Sequence, residues 1–308
     1  MTRSPAPSGK QYVLQRGGQR LVVTEVGAAI RRYVVDGVDL LEGWSSAEMC
    51  TGARGQTFIP WPNRIADGAY RFGGEEHQLP LTEPGAGNAI HGLTRWSHWR
   101  LTHESPVSMQ LTHVLPPQPG YPFALRCRLT YRLGEGGLEV ETRVSNVGCR
   151  PCPYATGAHP YLWLGADAVD ELEVQLAART WLPTDDRGIP VGQRPVEGTD
   201  RDFRTPRRVG DTRLDTAFTD LTRGPDGRAA VCVSGPGGRR VELWTDEAYR
   251  YVQLFTGDSL ADPDRRRRSL GVEPMTAAPD AFRSGAGLLT LAPGETHVAT
   301  WGLRPSVD

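Results

Sequence analysis

The sequence predicts an all-β protein built from stacked, mainly antiparallel sheets. Apolar side chains recur at every second position in several segments, which is the period of a strand with one buried face. The chain of 308 residues also contains 36 glycines and 25 prolines, which leave little room for helices longer than about ten residues. No long linker, low-complexity tract or fixed-period repeat interrupts it. We therefore expect residues 1–308 to form a single domain, with residues 1–10 disordered.

The clearest strands form a hairpin in the middle of the chain. Apolar and polar side chains alternate from Cys127 to Leu133 and again from Leu138 to Val144. The glycine-rich segment 134–137 between them suits a tight turn. Similar alternation predicts further strands, which are residues 172–176, 241–243, 249–255 and, after a turn at 292–295, the last strand at 297–303.

The composition excludes two classes of partner. The chain is 38% hydrophobic and 23% charged, as in globular proteins with a sizeable core. Its 35 basic and 36 acidic residues nearly cancel, so no overall field attracts nucleic acid or an anionic membrane. The N-terminal segment lacks an apolar signal region, and no stretch of about 18 apolar residues occurs. We expect a cytoplasmic protein, a monomer or homodimer, that binds neither nucleic acid nor membrane.

Two further patterns carry weak functional signals. Cys149 and Cys152 form a C-x-x-C pair, but no second ligand pair follows, so we interpret the five cysteines as reduced thiols and expect no metal site. The four consecutive arginines of residues 265–268 form the only charge run. A solvated loop is the simpler interpretation of this run, and an anion-binding rim of a pocket is the competing one.

Two ionisable residues directly precede prolines. They are His159, in the segment Gly157-Ala158-His159-Pro160-Tyr161, and Glu273, in Gly271-Val272-Glu273-Pro274-Met275-Thr276. Proline fixes its own φ and restricts the residue before it, so each side chain stands on a stiff backbone. Histidine and glutamate, with reference pKa values of about 6.5 and 4.3, suit proton transfer near neutral pH. Ordinary structural roles in two loops are the competing interpretation.

Other segments add groups that suit a polyhydroxylated ring. Arg64 follows the rigid Trp61-Pro62-Asn63, His91 stands beside Gly92, and Asp215 lies between apolar neighbours. Carboxylates, imidazoles and a guanidinium bind hydroxyl groups, and aromatic rings cover the C–H faces of a sugar. The aromatic candidates are Trp61, Trp96, Trp99, Tyr161 and Trp163.

Five motifs occur in the order and at the spacing of one known family: PWPNRIADGAYRF, NAIHG, GAHPYL, LDTAF and GVEPMT. The chain resembles the aldose 1-epimerase (galactose mutarotase) family over nearly its whole length, from about residue 12 to residue 304. The resemblance implies a large antiparallel β-sandwich, the galactose mutarotase-like supersandwich, with the sugar bound in a cleft on the open face of one sheet. This agrees with the period-two pattern.

The resemblance also implies roles for individual residues. By motif, Glu273 matches the general base that takes the proton of the anomeric hydroxyl, and His159 matches the general acid that protonates the ring oxygen. Arg64, His91 and Asp215 match residues that bind the substrate, and we expect Trp61 and Tyr161 to do the same. Neither a metal nor another cofactor is implied. The expected ligand is a free monosaccharide, whose α and β anomers the enzyme interconverts.

Several functions stay compatible with these residues. The segment Ala158-His159-Pro160-Tyr161-Leu162 departs from the galactose mutarotase pattern and resembles a bacterial subgroup that includes a branch associated with sulfoquinovose breakdown, so the sugar is undetermined. A hexose-6-phosphate 1-epimerase shares the fold and needs extra arginines near the cleft, for which Arg95 and residues 265–268 are candidates. A glycosidase could use Asp215 and Glu273 as its two carboxylates. A non-catalytic carbohydrate-binding protein would keep the cleft without turnover.

Overall fold

Nearly all regular structure in this protein is β-strand. A computed structural model describes residues 6–306 and contains, within that range, 27 strands, one α-helix of four residues and three single-turn 3-10 helices. The all-β prediction is therefore confirmed, and so is the expectation that long helices are lacking in the described part. Among residues 6–306 no helix is long and apolar enough to cross a membrane.

The elements are numbered in chain order. The helix α1 is Ala281–Ser284. The strands are β1 Gln11–Arg16, β2 Gln19–Thr24, β3 Ile30–Val35, β4 Val38–Asp39, β5 Thr57–Phe58, β6 Arg64–Ala66, β7 Ala69–Phe72, β8 Glu75–Gln78, β9 Asn88–Ile90, β10 Arg100–Ser105, β11 Ser108–Leu115, β12 Leu125–Gly134, β13 Gly137–Asn146, β14 Cys152–Tyr154, β15 Gly157–Ala158, β16 Tyr161–Leu162, β17 Glu173–Leu176, β18 Ala178–Leu182, β19 Arg194–Pro195, β20 Arg207–Arg208, β21 Asp215–Leu221, β22 Ala229–Ser234, β23 Arg240–Thr245, β24 Tyr251–Phe255, β25 Leu270–Met275, β26 Leu289–Leu291 and β27 Thr296–Ser306.

Two large antiparallel sheets dominate the architecture. The nine-stranded sheet has the order β10-β11-β12-β13-β27-β23-β22-β17-β20. The eight-stranded sheet has the order β19-β18-β21-β24-β25-β15-β5, and its remaining strand β16 also pairs with β25. A four-stranded meander, β1 to β4, and three two-stranded sheets, β6-β9, β7-β8 and β14-β26, complete the fold.

The two large sheets share one core. Leu129 and Val140 of the nine-stranded sheet belong to the same cluster of buried side chains as Val252, Leu254 and Val272 of the eight-stranded sheet. Two sheets that bury their inner faces against each other in this way form a sandwich. The outer face of the eight-stranded sheet is consequently free to carry a site.

The predicted hairpin has the expected ends. Strands β12 and β13 pair from Leu125↔Asn146 to Gly134↔Gly137, and alternate apolar side chains of β12 are buried. Two other predicted strands are shorter than expected. Leu172 and Tyr249 are buried like the alternate residues of the strands, but their backbone N–H groups make turn hydrogen bonds before β17 and β24 begin. The buried pattern is therefore longer than the hydrogen-bonded strand.

The N-terminal expectation needs a correction. Residues 1–5 lie outside the described range. Residues 8–10 are ordered, because the backbone N–H of Val26 donates to the carbonyl of Ser8 (3.0 Å), and Lys10 donates to the Glu25 carboxylate (3.0 Å). Ser8 is also buried. These contacts hold the segment against the turn that follows β2.

Candidate active site

A cavity of about 210 Å³ opens on the outer face of the eight-stranded sheet. It is smaller than the range of roughly 300–1,000 Å³ that is typical of sites for drug-sized ligands, which suits a single sugar ring. Six of the seven predicted site residues line it, and these are Arg64, His91, His159, Tyr161, Asp215 and Glu273. A larger hollow of about 400 Å³ lies beside the β12–β13 turn and contains neither histidine nor any of these residues.

Glu273 lies in the middle of β25. Successive side chains of a strand point to opposite faces, and here Val272 joins the core while Gly271 and Glu273 lie on the cavity side. The strand β24 pairs with β25 so that Gln253 is opposite Glu273 and Phe255 is opposite Gly271. Glu273 is 2% exposed, and its Oε2 has no hydrogen-bond partner among the described residues. Such an unpaired buried polar atom is unusual outside functional sites.

His159 is held between two short strands, β15 and β16. Its N–H donates to the carbonyl of Gln56 (3.0 Å), and its carbonyl accepts from Gly55 (2.9 Å). The imidazole stacks on the ring of Tyr161, with centroids 4.4 Å apart and planes 6° apart. The Tyr161 hydroxyl donates to the carbonyl of Gly52 (2.8 Å). Backbone and ring of His159 are thus both fixed, as expected for a residue that must present one nitrogen to a ligand.

The two proton-transfer candidates face each other. Nε2 of His159 lies 3.3 Å from Oε1 of Glu273. Burial raises the pKa of Glu273 well above its usual value, and the charge of Asp215 raises it further. Burial lowers the pKa of His159 to about 3, with Arg54 and Arg95 acting in the same direction. Both shifts favour a neutral acid beside a neutral imidazole when the cavity holds no ligand.

His91 is fixed in one tautomer. The backbone N–H of Asn63 donates to Nδ1 of His91 (3.1 Å), so Nδ1 carries the lone pair. Burial lowers the pKa of His91 well below its usual value, which keeps the ring neutral and leaves the proton on Nε2. His91 has a φ of 62°, a left-handed conformation that is costly for a residue with a side chain. The site therefore maintains a neutral N–H donor at this position.

Arg64 joins two carboxylates. Its guanidinium donates to both oxygens of Glu83 (2.9 and 3.0 Å) and to Oδ2 of Asp215 (3.2 Å). Although burial raises the pKa of Glu83, hydrogen bonds from Arg64 and Asn88 outweigh it and leave that pKa below its usual value. The other oxygen of Asp215 accepts from Gln253. Both oxygens of Asp215 are thus occupied, which favours a positioning role over a nucleophilic one.

The prediction for Trp61 is wrong. Trp61 does not line the cavity but is 2% exposed, with its ring 5.6 Å from that of Phe282 in the core. The indole packs in the core, whereas the nearby Asn63 and Arg64 reach the cavity. Trp99 is likewise a core residue.

Several lining residues were not assigned to the site from the sequence, among them Asn63, Glu83 and Phe255. Glu83 directly precedes Pro84, the same Glu-Pro pair as at Glu273, and this signal could have identified it. Phe255 carries no comparable signal because its position depends on the pairing of β24 with β25. Asn63 lies in the irregular loop before β6. Arg95, a candidate for a sugar phosphate, does line the cavity.

The arginine run lies outside the cavity wall. Arg265 binds Glu42 (3.1 Å) and Arg267 binds Asp170 and Asp258 (3.0 Å each). The guanidinium of Arg268 lies 5.4 Å from the ring centroid of Trp163. Arg265 and Arg267 thus make structural contacts, whereas Arg266 and Arg268 are exposed. Arg265 and Arg268 also line a separate hollow of about 360 Å³.

Three side chains could be considered as metal ligands. Ligand atoms of His91, His159 and Glu273 lie within 4.8 Å of one another. However, a neutral imidazole coordinates through the nitrogen that lacks a proton, and in His91 the backbone of Asn63 already occupies that nitrogen. This donor set therefore fits a hydrogen-bonding site better than a metal ion. Cys149 and Cys152 are free thiols outside this cluster, one exposed and one buried.

Comparison with known proteins identifies the family. The sequence profile of the family described as aldose 1-epimerase matches residues 10–304. The chain belongs to the aldose 1-epimerase family. It is an isomerase of this family, with the sandwich fold that the resemblance implied. It is 34% identical over 291 residues to the uncharacterized protein YihR of Escherichia coli (strain K12), covering 94% of this chain and 91% of that protein.

Better-known members are more distant. The galactose mutarotase of Homo sapiens is 32% identical over 219 residues, which are 64% of this chain and 60% of that protein. Two solved structures share the fold. An aldose epimerase homologue from C. elegans superposes with a TM-score of 0.85 at 18% identity, covering 97% of this chain and 100% of the other. A galactose 1-epimerase from Lactobacillus acidophilus gives 0.80 at 24% identity, covering 96% and 94%.

Proposed function

We propose that this protein is a mutarotase that interconverts the α and β anomers of a free aldose by ring opening and reclosure. Its membership of the aldose 1-epimerase family supports a monosaccharide substrate and an epimerase reaction. The observation that carries the proposal is the approach of His159 Nε2 to Glu273 Oε1, 3.3 Å apart in one cavity. One proton shared by two such groups is sufficient to open a hemiacetal and to close it again.

In the proposed reaction, Glu273 as carboxylate takes the proton of the anomeric hydroxyl. His159 as imidazolium gives its Nε2 proton to the ring oxygen. The bond between C1 and the ring oxygen breaks, and C1 becomes the carbonyl carbon of an open-chain aldehyde. Rotation about C1–C2 exposes the other face, and the ring closes as both protons return. No atom or electron is gained or lost over the cycle.

The buried environment suits these roles. An imidazolium whose pKa is lowered to about 3 is a strong acid, and a carboxylate whose pKa is raised is a strong base. The charged pair is less populated in the buried site, but each member is more reactive. The neutral pair is the state that accompanies the open-chain aldehyde. Burial therefore favours ring opening over the closed form.

The remaining groups would hold the ring. Nε2–H of His91 is a fixed donor for a sugar oxygen, while Arg64, Asp215 and Glu83 offer donors and acceptors for hydroxyl groups. Tyr161 supports His159 through the stacked rings. We assign Arg64, His91 and Asp215 to substrate binding, and His159 and Glu273 to proton transfer.

The test is the rate of anomer exchange, measured by exchange NMR on glucose and galactose with wild type and Glu273→Gln. Acceleration by wild type that is lost in Glu273→Gln supports the proposal. A folded wild type that accelerates no free sugar contradicts it and favours a hexose-6-phosphate 1-epimerase or a non-catalytic binding protein. Release of a reducing sugar from an aryl glycoside would favour a glycosidase.

A further inference from the structure

Arg95 is a half-buried cation of the cavity wall, and no acidic partner for it lies among the described residues. Its Nη2 donates to the carbonyl of Ile90 (3.2 Å), and its Nε is buried with no hydrogen-bond partner among the described residues. Within residues 6–306 no carboxylate lies within ion-pair distance of the guanidinium, and its pKa is lowered by burial. A partly desolvated guanidinium whose buried Nε has no partner gains from a ligand that supplies a counter-charge.

The second arginine of the wall differs in this respect. Arg64 is neutralised by Glu83 (2.9 Å) and Asp215 (3.2 Å). Glu83 and Asp215 together carry more negative charge than Arg64 carries positive charge. The part of the cavity around Arg64 therefore favours neutral hydroxyl groups over an anion. Of these two arginines, only Arg95 has no carboxylate partner among the described residues, and its Nε is free to donate to a ligand.

The position of Arg95 relates it to one part of a sugar ring. Arg95 bonds to the carbonyl of Ile90, next to His91, whose ring centroid lies 5.7 Å from that of His159. Glu273 is instead paired across the sheet with Gln253, which donates to Asp215, the partner of Arg64. The ring oxygen of a pyranose is bonded to C5, which carries the exocyclic C6. If His159 serves the ring oxygen, the substituent on C6 falls on the side of Arg95.

We propose that the cavity accepts an aldose with an anionic group on C6, and that Arg95 binds this group. Carboxylate, sulfonate and phosphate share the required chemistry, because each presents two or more oxygens to the planar guanidinium. This inference depends on the mutarotase function proposed above and defines its substrate class. It makes Arg95 a specificity-determining residue, whereas His159 and Glu273 act on any aldose that is bound.

The experiment compares four sugars that differ at C6. Anomer exchange is measured by NMR for glucose, glucuronate, glucose 6-phosphate and sulfoquinovose, with wild type, Arg95→Met and Arg95→Lys. Arg100→Met, which removes an exposed arginine of β10, controls for a general change of surface charge. Activity on glucose shows for each variant whether the site is folded.

We expect kcat/KM of wild type to be at least about 10-fold higher for one of the anionic sugars than for glucose, since hydrogen bonds between charged groups are stronger than neutral ones. Arg95→Met should lower that value about 10- to 100-fold, with less than about a threefold effect on glucose. Arg95→Lys should be intermediate, and Arg100→Met unchanged. The sugar that shows the largest effect identifies the anion.

Two results would overturn the inference. The first is a wild type that prefers glucose or shows no preference. The second is an equal loss on all four sugars in Arg95→Met, which would indicate a structural role. In both cases the mutarotase function stands, because glucose is still converted. A wild type inactive on glucose, glucuronate and sulfoquinovose would instead contradict the proposed function, and this inference with it. Activity on glucose 6-phosphate alone would favour the hexose-6-phosphate 1-epimerase.

Discussion

The imidazole of His159 and the phenol of Tyr161 lie face to face, with ring centroids 4.4 Å apart and planes 6° apart. The guanidinium of Arg54 also lies over the Tyr161 ring, 4.8 Å from its centroid. Arg54 is itself buried and held near Glu42, with Nε 3.5 Å from Oε2. A fixed positive charge therefore supports the stacked rings and, after burial, is the largest influence that lowers the pKa of His159.

The first prediction concerns the proposed base. Glu273→Gln should lower kcat by roughly 10²- to 10⁴-fold, because an amide cannot accept the proton, while sugar binding persists. Exchange NMR measures turnover, and the rise in thermal midpoint with added sugar measures binding. Near-normal turnover would reject Glu273 as the base. Loss of both turnover and binding would indicate a structural defect.

The second prediction concerns Arg54. Replacing it with methionine should raise the pKa of His159, because the cation over Tyr161 is removed. The single variant is suitable because Glu42 keeps Arg265 as an ion-pair partner (3.1 Å). NMR titration of the His159 ring protons gives the pKa directly, and Arg54→Lys should retain the wild-type value in part. An unchanged His159 pKa in Arg54→Met would show that Arg54 acts only in packing.

The third prediction concerns Gly271, which lies beneath His159. A Cβ atom at Gly271 would meet Cε1 of His159 at 3.0 Å and Cβ of Phe255 at 3.2 Å. Gly271→Ala should therefore displace the imidazole and lower kcat by about 10-fold or more, since a misplacement of about 1 Å can cost about 10²-fold. Gly136→Ala is the matched control, because a Cβ there meets nothing within 4 Å. Equal activity of the two variants would contradict the prediction.

The fourth prediction concerns Asp215. Asp215→Asn should raise KM about 10-fold, as for the loss of one charge-assisted hydrogen bond, and should change kcat by less than about threefold. The charge of Asp215 also raises the pKa of Glu273. The acidic limb of the pH–rate profile should therefore shift to lower pH in Asp215→Asn. A large loss of kcat at unchanged KM would instead favour a direct catalytic role.

The fifth prediction concerns stability at acidic pH. The pKa of His159 is about 3 in the folded protein, below the reference value of 6.5, so only the unfolded chain takes up this proton between these values. The free energy of unfolding should therefore decrease as the pH is lowered through that window, by at most about 1.4 kcal/mol per pH unit from this residue. The raised pKa of Glu273 has the opposite effect above pH 4.5, because there the folded protein binds this proton more tightly and stability decreases as the pH rises.

Urea unfolding should therefore be measured in the Glu273→Gln background, with and without His159→Asn. The free energy of unfolding should decrease less steeply towards acidic pH when His159 is absent. Parallel pH dependences would show that His159 titrates normally in the folded protein.

Much of the fold and the site could be predicted from the sequence because the decisive signals are local. Alternation marks the hairpin of β12 and β13, and the two X-Pro pairs mark His159 and Glu273. Trp61 was assigned wrongly because the direction of a side chain in an irregular loop depends on tertiary packing. The stack of Arg54, Tyr161 and His159 could not be predicted, since it joins segments related only through strand pairing.

The region around the small β6–β9 sheet contains Arg64, Glu83, His91 and Arg95. Glu273 belongs to the eight-stranded sheet, and His159 lies in the link between two strands of that sheet. Under the proposed function, most groups that bind the sugar therefore lie on a different sheet from the pair that transfers protons, with Asp215 of β21 as the exception. Exchange of residues 63–95 between relatives should then change the sugar that is bound while His159 and Glu273 keep their positions. This makes residues 63–95 the segment to exchange when transplanting specificity between relatives.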